Sequence, residues 1–138
     1  MIGLVLVTHG TLANALREAM EHVVGKQKNV ATVCIESDAE FESQRAEIKH
    51  CMDEVDAGDG VILLTDMFGG TPSNLAMSML SKPGVEIIGG VNLPMLVKLA
   101  KVRGTQALAE AVQCAEMAGR KYICSAHEIQ HAAPRAAE

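Results

Sequence analysis

The chain has 138 residues and a formal net charge of −5, with 49% hydrophobic but only 2% aromatic residues. That length predicts one domain with a single full core, and an acidic balance without a basic stripe excludes the electrostatic footprint of a nucleic-acid binder. With Phe41, Phe68 and Tyr122 as its aromatics, the core must be aliphatic and filled by methionine.

In chain order, the first apolar run is "IGLVLV" (2–7). It lacks the basic flank and the length of a signal peptide and is cut short by Thr8-His9-Gly10. No run approaches the roughly 18 apolar residues of a membrane span, so a soluble, cytoplasmic protein is expected. A helix follows, with Leu12, Leu16, Met20 and Val23 or Val24 on one stripe. "VATVCIE" (30–36) reads as a second strand. Phe41, Ile48, Met52 and Val55 mark a second amphipathic helix behind Asp38 as its N-cap. "GVILLTD" (60–66) and "VEIIGGV" (85–91) are two further strands. Each strand is continuously apolar rather than alternating, the pattern of parallel strands buried on both faces.

Three more helix starts are marked. "GGTPSN" places Thr71 at the N-cap and Pro72 at the first helical position, and "VNLPMLVKLA" repeats the device with Asn92 or Leu93 ahead of Pro94. "GTQALAEAVQCAEMAG" has Thr105 as cap and Gly119 as stop. "KYICSA" (121–126) then reads as a short fifth strand, and residues 127–138 as a disordered tail after a domain spanning 1–126. Strands alternating with helices predict a doubly wound α/β fold with helices on both faces.

Cys34, Cys51, Cys114 and Cys124 form no C-x-x-C pair, and reduced, buried structural thiols are expected. His22 and His50 fall in helical segments, and His127 and His131 in the tail. A metal site built on His9 and Asp66 would need a further ligand, and none stands at the other strand ends. No metal or cofactor is therefore expected.

In an open parallel sheet the ligand site lies outside the carboxyl ends of the strands. Those ends carry Thr8-His9-Gly10, Thr65-Asp66 followed by "MFGGTPSN", and "GGVN". An imidazole with an ordinary pKa near 6.5 is largely neutral at cellular pH. Asp66 could accept one ring N–H of His9, fix its tautomer and stabilise positive charge while the other nitrogen reacts. Helix starts after Gly10 and at Thr71-Pro72-Ser73 would offer free backbone N–H groups to an anion, phosphate above all. Gly69 and Gly70 permit close backbone approach, and the hydroxyls of Thr71 and Ser73 add donors. Each feature alone is an ordinary turn or cap. Together, on adjacent strand ends, they describe phosphoryl transfer through phosphohistidine.

"VTHGTLANAL", "GVILLTDMFGGTPSNLA" and "GVNLPMLVKL" together resemble the IIA domain of the mannose-family phosphoenolpyruvate-dependent sugar phosphotransferase system, over Met1 to about Ala126. The resemblance implies a cytoplasmic phosphotransferase that acts through a phosphohistidine and needs no metal. His9 matches the histidine that takes a phosphoryl group from the phosphocarrier HPr and passes it to a IIB protein. Asp66 matches the aspartate that orients it, and Thr71 the hydroxyl residue that helps hold the phosphoryl group. The implied sheet order is 2-1-3-4, with a final antiparallel strand exchanged between the subunits of a homodimer, a role "KYICSA" is positioned to fill. No linker to an attached IIB domain is expected. The chain is thus expected either to serve a separate IIB chain, with peripheral association to a membrane transporter, or to report phosphorylation state as a regulator. A phosphocarrier of a dihydroxyacetone kinase system, a non-transferring regulatory module and a chelatase-like metal protein are the alternatives. The last would require extra ligands near His9.

Overall fold

The computed structural model describes residues 1–131. Strands β1 (Gly3–His9), β2 (Val30–Ile35), β3 (Val61–Thr65) and β4 (Val85–Ile88) form one sheet in the order β2-β1-β3-β4. All its pairings are parallel, with Val7 beside Val33 and Thr65, and Ile62 beside Glu86. The helices are α1 (Leu12–Val24), α2 (Phe41–Val55), α3 (Thr71–Met77), α4 (Leu93–Val102), α5 (Leu108–Lys121) and α6 (Ala126–His131). The doubly wound fold and the order 2-1-3-4 are as expected.

The apolar runs follow from burial on two faces. Leu4, Leu6, Ile62 and Leu64 point to a layer closed by Met20 of α1, Met95, Leu96 and Leu99 of α4, and Ala111 and Ala115 of α5. Val5, Val7, Val33 and Leu63 point the other way, onto Ile48, Met52 and Val55 of α2 and Leu75 and Ala76 of α3. Successive strand residues face opposite sides, so a strand covered on both faces needs apolar side chains throughout.

A buried arginine locks the amino-terminal end of the sheet. Arg103, 2% exposed, donates to the carbonyls of Ile2, Lys28 and Asn29 and to Gln27 Oε1. Burial alone pulls its pKa below the usual guanidinium value. Five donors in a fixed fork let one side chain satisfy several carbonyls at once.

Several local expectations are corrected. Position Glu40, not Asp38, caps α2, without a side-chain bond. Gly70 stands at the N-cap of α3 without a side-chain cap bond, and Thr71 is its first residue; Ser73 Oγ donates back to the Gly70 carbonyl at 2.9 Å. Asn92 does cap α4, accepting from Met95 N at 3.1 Å. Ala107 precedes α5, while Thr105 closes the turn after α4 through its N–H to Val102 O. Gly119 does not stop α5. It is buried inside the helix where a Cβ would stand 2.9 Å from Met95 Cε, and its carbonyl accepts from Asn92 Nδ2 at 2.8 Å. Contact with α4 required the glycine there, and the helix runs on to Lys121.

Within the single chain, the segment 121–126 expected as an antiparallel strand is not paired as one. Lys121 is helical, 122–125 has no regular structure, and α6 begins at Ala126. A strand exists only through pairing, and the described sheet has four strands, none of them from this segment. The expected disordered tail begins as helix through His131, and 132–138 lies outside the described residues. Cys34, Cys51, Cys114 and Cys124 are free thiols and partly exposed rather than buried. Partial burial, with Glu47 and Glu54 nearby, pushes the Cys51 thiol up.

Candidate functional site: a carboxylate-held histidine at the sheet's carboxyl edge

Strand β1 delivers His9 as its last residue, and the side chain is 52% exposed. Parallel pairing with β3 sets Val7 beside Thr65, which brings the following Asp66 level with Thr8 and within reach of His9, the next residue of β1. Asp66 Oδ2 accepts both the main-chain N–H of His9 (3.1 Å) and its ring Nδ1 (2.8 Å), while Oδ1 accepts from Met67 N at 3.0 Å. Burial pushes the Asp66 pKa up, but the hydrogen bonds from the His9 ring, the His9 and Met67 backbones and the His9 charge outweigh it, leaving a net lowering. An ionised carboxylate only accepts hydrogen bonds. Nδ1 must therefore carry the proton, and in the neutral ring Nε2 presents a lone pair.

The neighbouring Gly70 backbone approaches that Nε2 edge closely. A Cβ at Gly70 would stand 2.9 Å from both Cε1 and Nε2 of His9. A cleft of about 340 Å³ opens beside the ring, between His9 and Gly10, the β2–α2 loop (Ile35, Glu36, Ser37, Ala39) and Thr71.

The remaining expected donors divide into two groups. Gly10 N–H is spent on Ile35 O (3.0 Å), and Gly69 N–H on Ser73 Oγ (3.0 Å). Ser73 is 1% exposed, and its hydroxyl donates inward to Gly70 O. These three residues build the loop rather than offer donors to a ligand. The N–H groups of Gly70 and Thr71 have no acceptor among the described residues, and Thr71 is exposed on the cleft. At the start of α1, Ala13 N–H is taken by Thr8 Oγ1 (2.7 Å), while those of Thr11 and Leu12 have no acceptor among the described residues.

Sequence reasoning missed Thr8, a buried hydroxyl that fixes the β1–α1 turn five residues on. Its signal was its place directly before the histidine. It also missed the β2–α2 wall of the cleft, whose residues carry no motif. The other histidines lie elsewhere: His50 pairs with Glu54 along α2, and the rings of His127 and His131 meet at 4.3 Å, tilted by 49°, on α6. Among the described residues, no three His, Cys, Asp or Glu side chains converge where they could hold a metal ion. A larger groove of about 780 Å³ lies between α4 and α5, lined by Val97, Met117 and Tyr122 among others, and contains none of the expected site residues.

A doubly wound sheet of order 2-1-3-4 that ends in an aspartate-bonded histidine defines a class: an α/β domain with a carboxylate-held imidazole at the carboxyl edge of its strands. Residues 3–116 match the family described as "PTS system fructose IIA component", and the chain belongs to that family. It is 31% identical over 137 residues to the "PTS system mannose-specific EIIAB component" of Escherichia coli strain K12, a match covering 96% of this chain and 42% of that protein. The chain thus spans about two-fifths of the length of that relative. It is 25% identical to the "PTS system fructose-specific EIIA component" of Bacillus subtilis, with 92% and 89% of the two chains covered. Among solved structures, the PTS IIA protein associated with the fucose utilization operon of Streptococcus pneumoniae superposes with a TM-score of 0.81 at 27% identity, covering 92% of this chain and 95% of that one. Among the described residues no helix is long and apolar enough to cross a membrane.

Proposed function

We propose that this protein is a phosphocarrier of the phosphoenolpyruvate-dependent sugar phosphotransferase system, with His9 Nε2 as the phosphoryl acceptor. HPr is the donor and a IIB protein the acceptor. The observation that carries this reading is the pair of bonds from His9 to one oxygen of Asp66 in a chain of the EIIA family.

The chemistry follows from the tautomer. The Nε2 lone pair forms a bond to phosphorus as the phosphorus–nitrogen bond of the donor phosphohistidine breaks. The donor imidazole leaves neutral with the bonding electrons, and the positive charge passes to the His9 ring. Asp66 faces that charge through Nδ1–H and keeps its own proton-free state. Transfer between two imidazoles is close to thermoneutral, so positioning and charge stabilisation carry the catalysis. The Gly70 and Thr71 N–H groups and the Thr71 hydroxyl are the donors left to the incoming phosphoryl oxygens.

Incubation with phosphoenolpyruvate, Enzyme I and HPr tests this. Acid-labile, base-stable phosphate that disappears in His9→Gln supports it, and labelling elsewhere, or none, rejects it. Added IIB proteins drain the label from a transport carrier, whereas a regulatory module keeps it. A kinase subunit with bound nucleotide as the sole effective acceptor would instead indicate the dihydroxyacetone type.

We further propose that the protein works as a homodimer in which residues 121–126 add to a sheet edge of the second copy. β4 pairs on one side only, and Ile123 is 76% exposed. Deleting residues 120–138 should yield monomers by light scattering; a dimer that survives the deletion contradicts this.

A further inference from the structure

The loop from Asp66 to Gly70 holds the His9 ring from two sides. Asp66 grips Nδ1 at 2.8 Å, and the Gly70 backbone abuts the Cε1–Nε2 edge. One hydrogen bond at Nδ1 leaves the ring free to swing about it, and Nε2 lies at the far end of that arc. The Gly70 contact is what limits the swing. Gly70 reaches its place through Met67, Phe68 and Gly69. Met67 is 61% exposed, and Gly69 lies at φ +101° with its N–H bonded to Ser73.

Phe68 supplies the middle anchor of this loop. The residue is 55% exposed, yet its ring lies close against the Gly89 backbone: a Cβ there would stand 2.5 Å from Cδ2 and Cε2. The seat is firm, because Gly90 N donates to Asp66 O and Val91 N to Thr65 O, each at 3.1 Å. The turn that receives the ring is thus tied to the same strand end that carries Asp66.

We propose that Phe68 is a positioning residue for phosphoryl transfer at His9: its ring, braced on the Gly89 backbone, keeps Gly70 against the Nε2 edge. The proposal rests on His9 being the phosphoryl acceptor. It assigns a role within the loop to an exposed aromatic that would otherwise be read as a contact for partner proteins.

Phosphoramidate separates the two roles, because it phosphorylates imidazoles without protein docking. The Nε2 lone pair forms the new nitrogen–phosphorus bond, the donor's phosphorus–nitrogen bond breaks, and ammonia leaves with the bonding pair. In Phe68→Ala the maximal rate should fall about tenfold or more with phosphoramidate and with phospho-HPr alike, since displacement by an ångström is costly in transfer. The KM for phosphoramidate and the melting temperature should stay near wild type. Phe68→Trp, which keeps a flat face, should recover most of the rate. Ring ¹⁵N spectra of His9 should show greater mobility in Phe68→Ala than in wild type. An unchanged phosphoramidate rate with a raised KM for phospho-HPr would overturn the proposal in favour of a docking contact. Failure of wild-type His9 to take phosphate from either donor would remove the phosphocarrier reading itself, and this proposal with it.

Discussion

One oxygen of Asp66, Oδ2, receives both the backbone N–H and the ring Nδ1 of His9, at 3.1 and 2.8 Å. A single acceptor therefore fixes the end of β1 and the tautomer of the side chain that projects from it.

Replacing Asp66 by Asn keeps the shape and removes the charge. The amide can also donate, which favours the wrong ring tautomer. Phosphorylation of Asp66→Asn by phospho-HPr, followed by rapid quench, should be slower by about a hundredfold, as when other preorganised electrostatic partners are lost. The circular dichroism spectrum should not change.

The same carboxylate gives a pH signature. Its pKa is lowered in the folded protein, by bonds that burial only partly opposes. Its contribution is then complete above the unfolded carboxylate value of about 3.9 and is lost as pH falls through the lower folded value. Denaturation midpoints of wild type and Asp66→Asn should therefore converge on acidification below about pH 4. A gap that widens there would contradict the assignment.

Gly70→Ala tests the close approach. Its Cβ would meet Cε1 and Nε2 of His9 at 2.9 Å, so the ring must turn away or the loop must withdraw. The variant should fold, because the site is at the surface, but lose phosphoryl acceptance by at least about tenfold. Single-turnover rates beside a thermal melt separate the two effects.

Arg103 is predicted to matter for stability and not for chemistry. Arg103→Lys keeps the charge but cannot bond the carbonyls of Ile2, Lys28 and Asn29 together. Each buried acceptor left unsatisfied costs about 1–3 kcal/mol. Urea denaturation should show a lower midpoint, while the phosphorylation rate of the folded fraction stays at the wild-type value.

Much of the fold was legible because its cause is local in composition. Strands buried on both faces must be apolar throughout, so β1 to β4 announced themselves, and Asn92 ahead of Pro94 marked a helix start correctly. The errors fell where a distant partner chose between local options. Gly119 has the chemistry of a helix stop, but the approach of Met95 and Asn92 made it an interior contact residue. Thr71 has the chemistry of a cap, but the helix begins with it as its first residue, behind Gly70. The segment 121–126 has the composition of a strand, but a strand needs an edge to pair with, and within the single chain this segment is paired to none.

For the site, the amino-acid sequence by itself determined the histidine, its carboxylate partner and the sheet edge where they stand, since parallel β-topology brings the ends of β1 and β3 side by side. Only the tertiary structure decided which donors remain for a ligand. Gly10, Gly69 and Ser73 turn theirs inward, while the Gly70 and Thr71 N–H groups are left without an acceptor among the described residues. It also decided that Phe68 is seated on Gly89, twenty-one positions along the chain. Hydrogen-bond partners and the close approach of side chains to glycine backbone are settled by the relative placement of whole elements, to which residue type and spacing contribute only the inventory of groups.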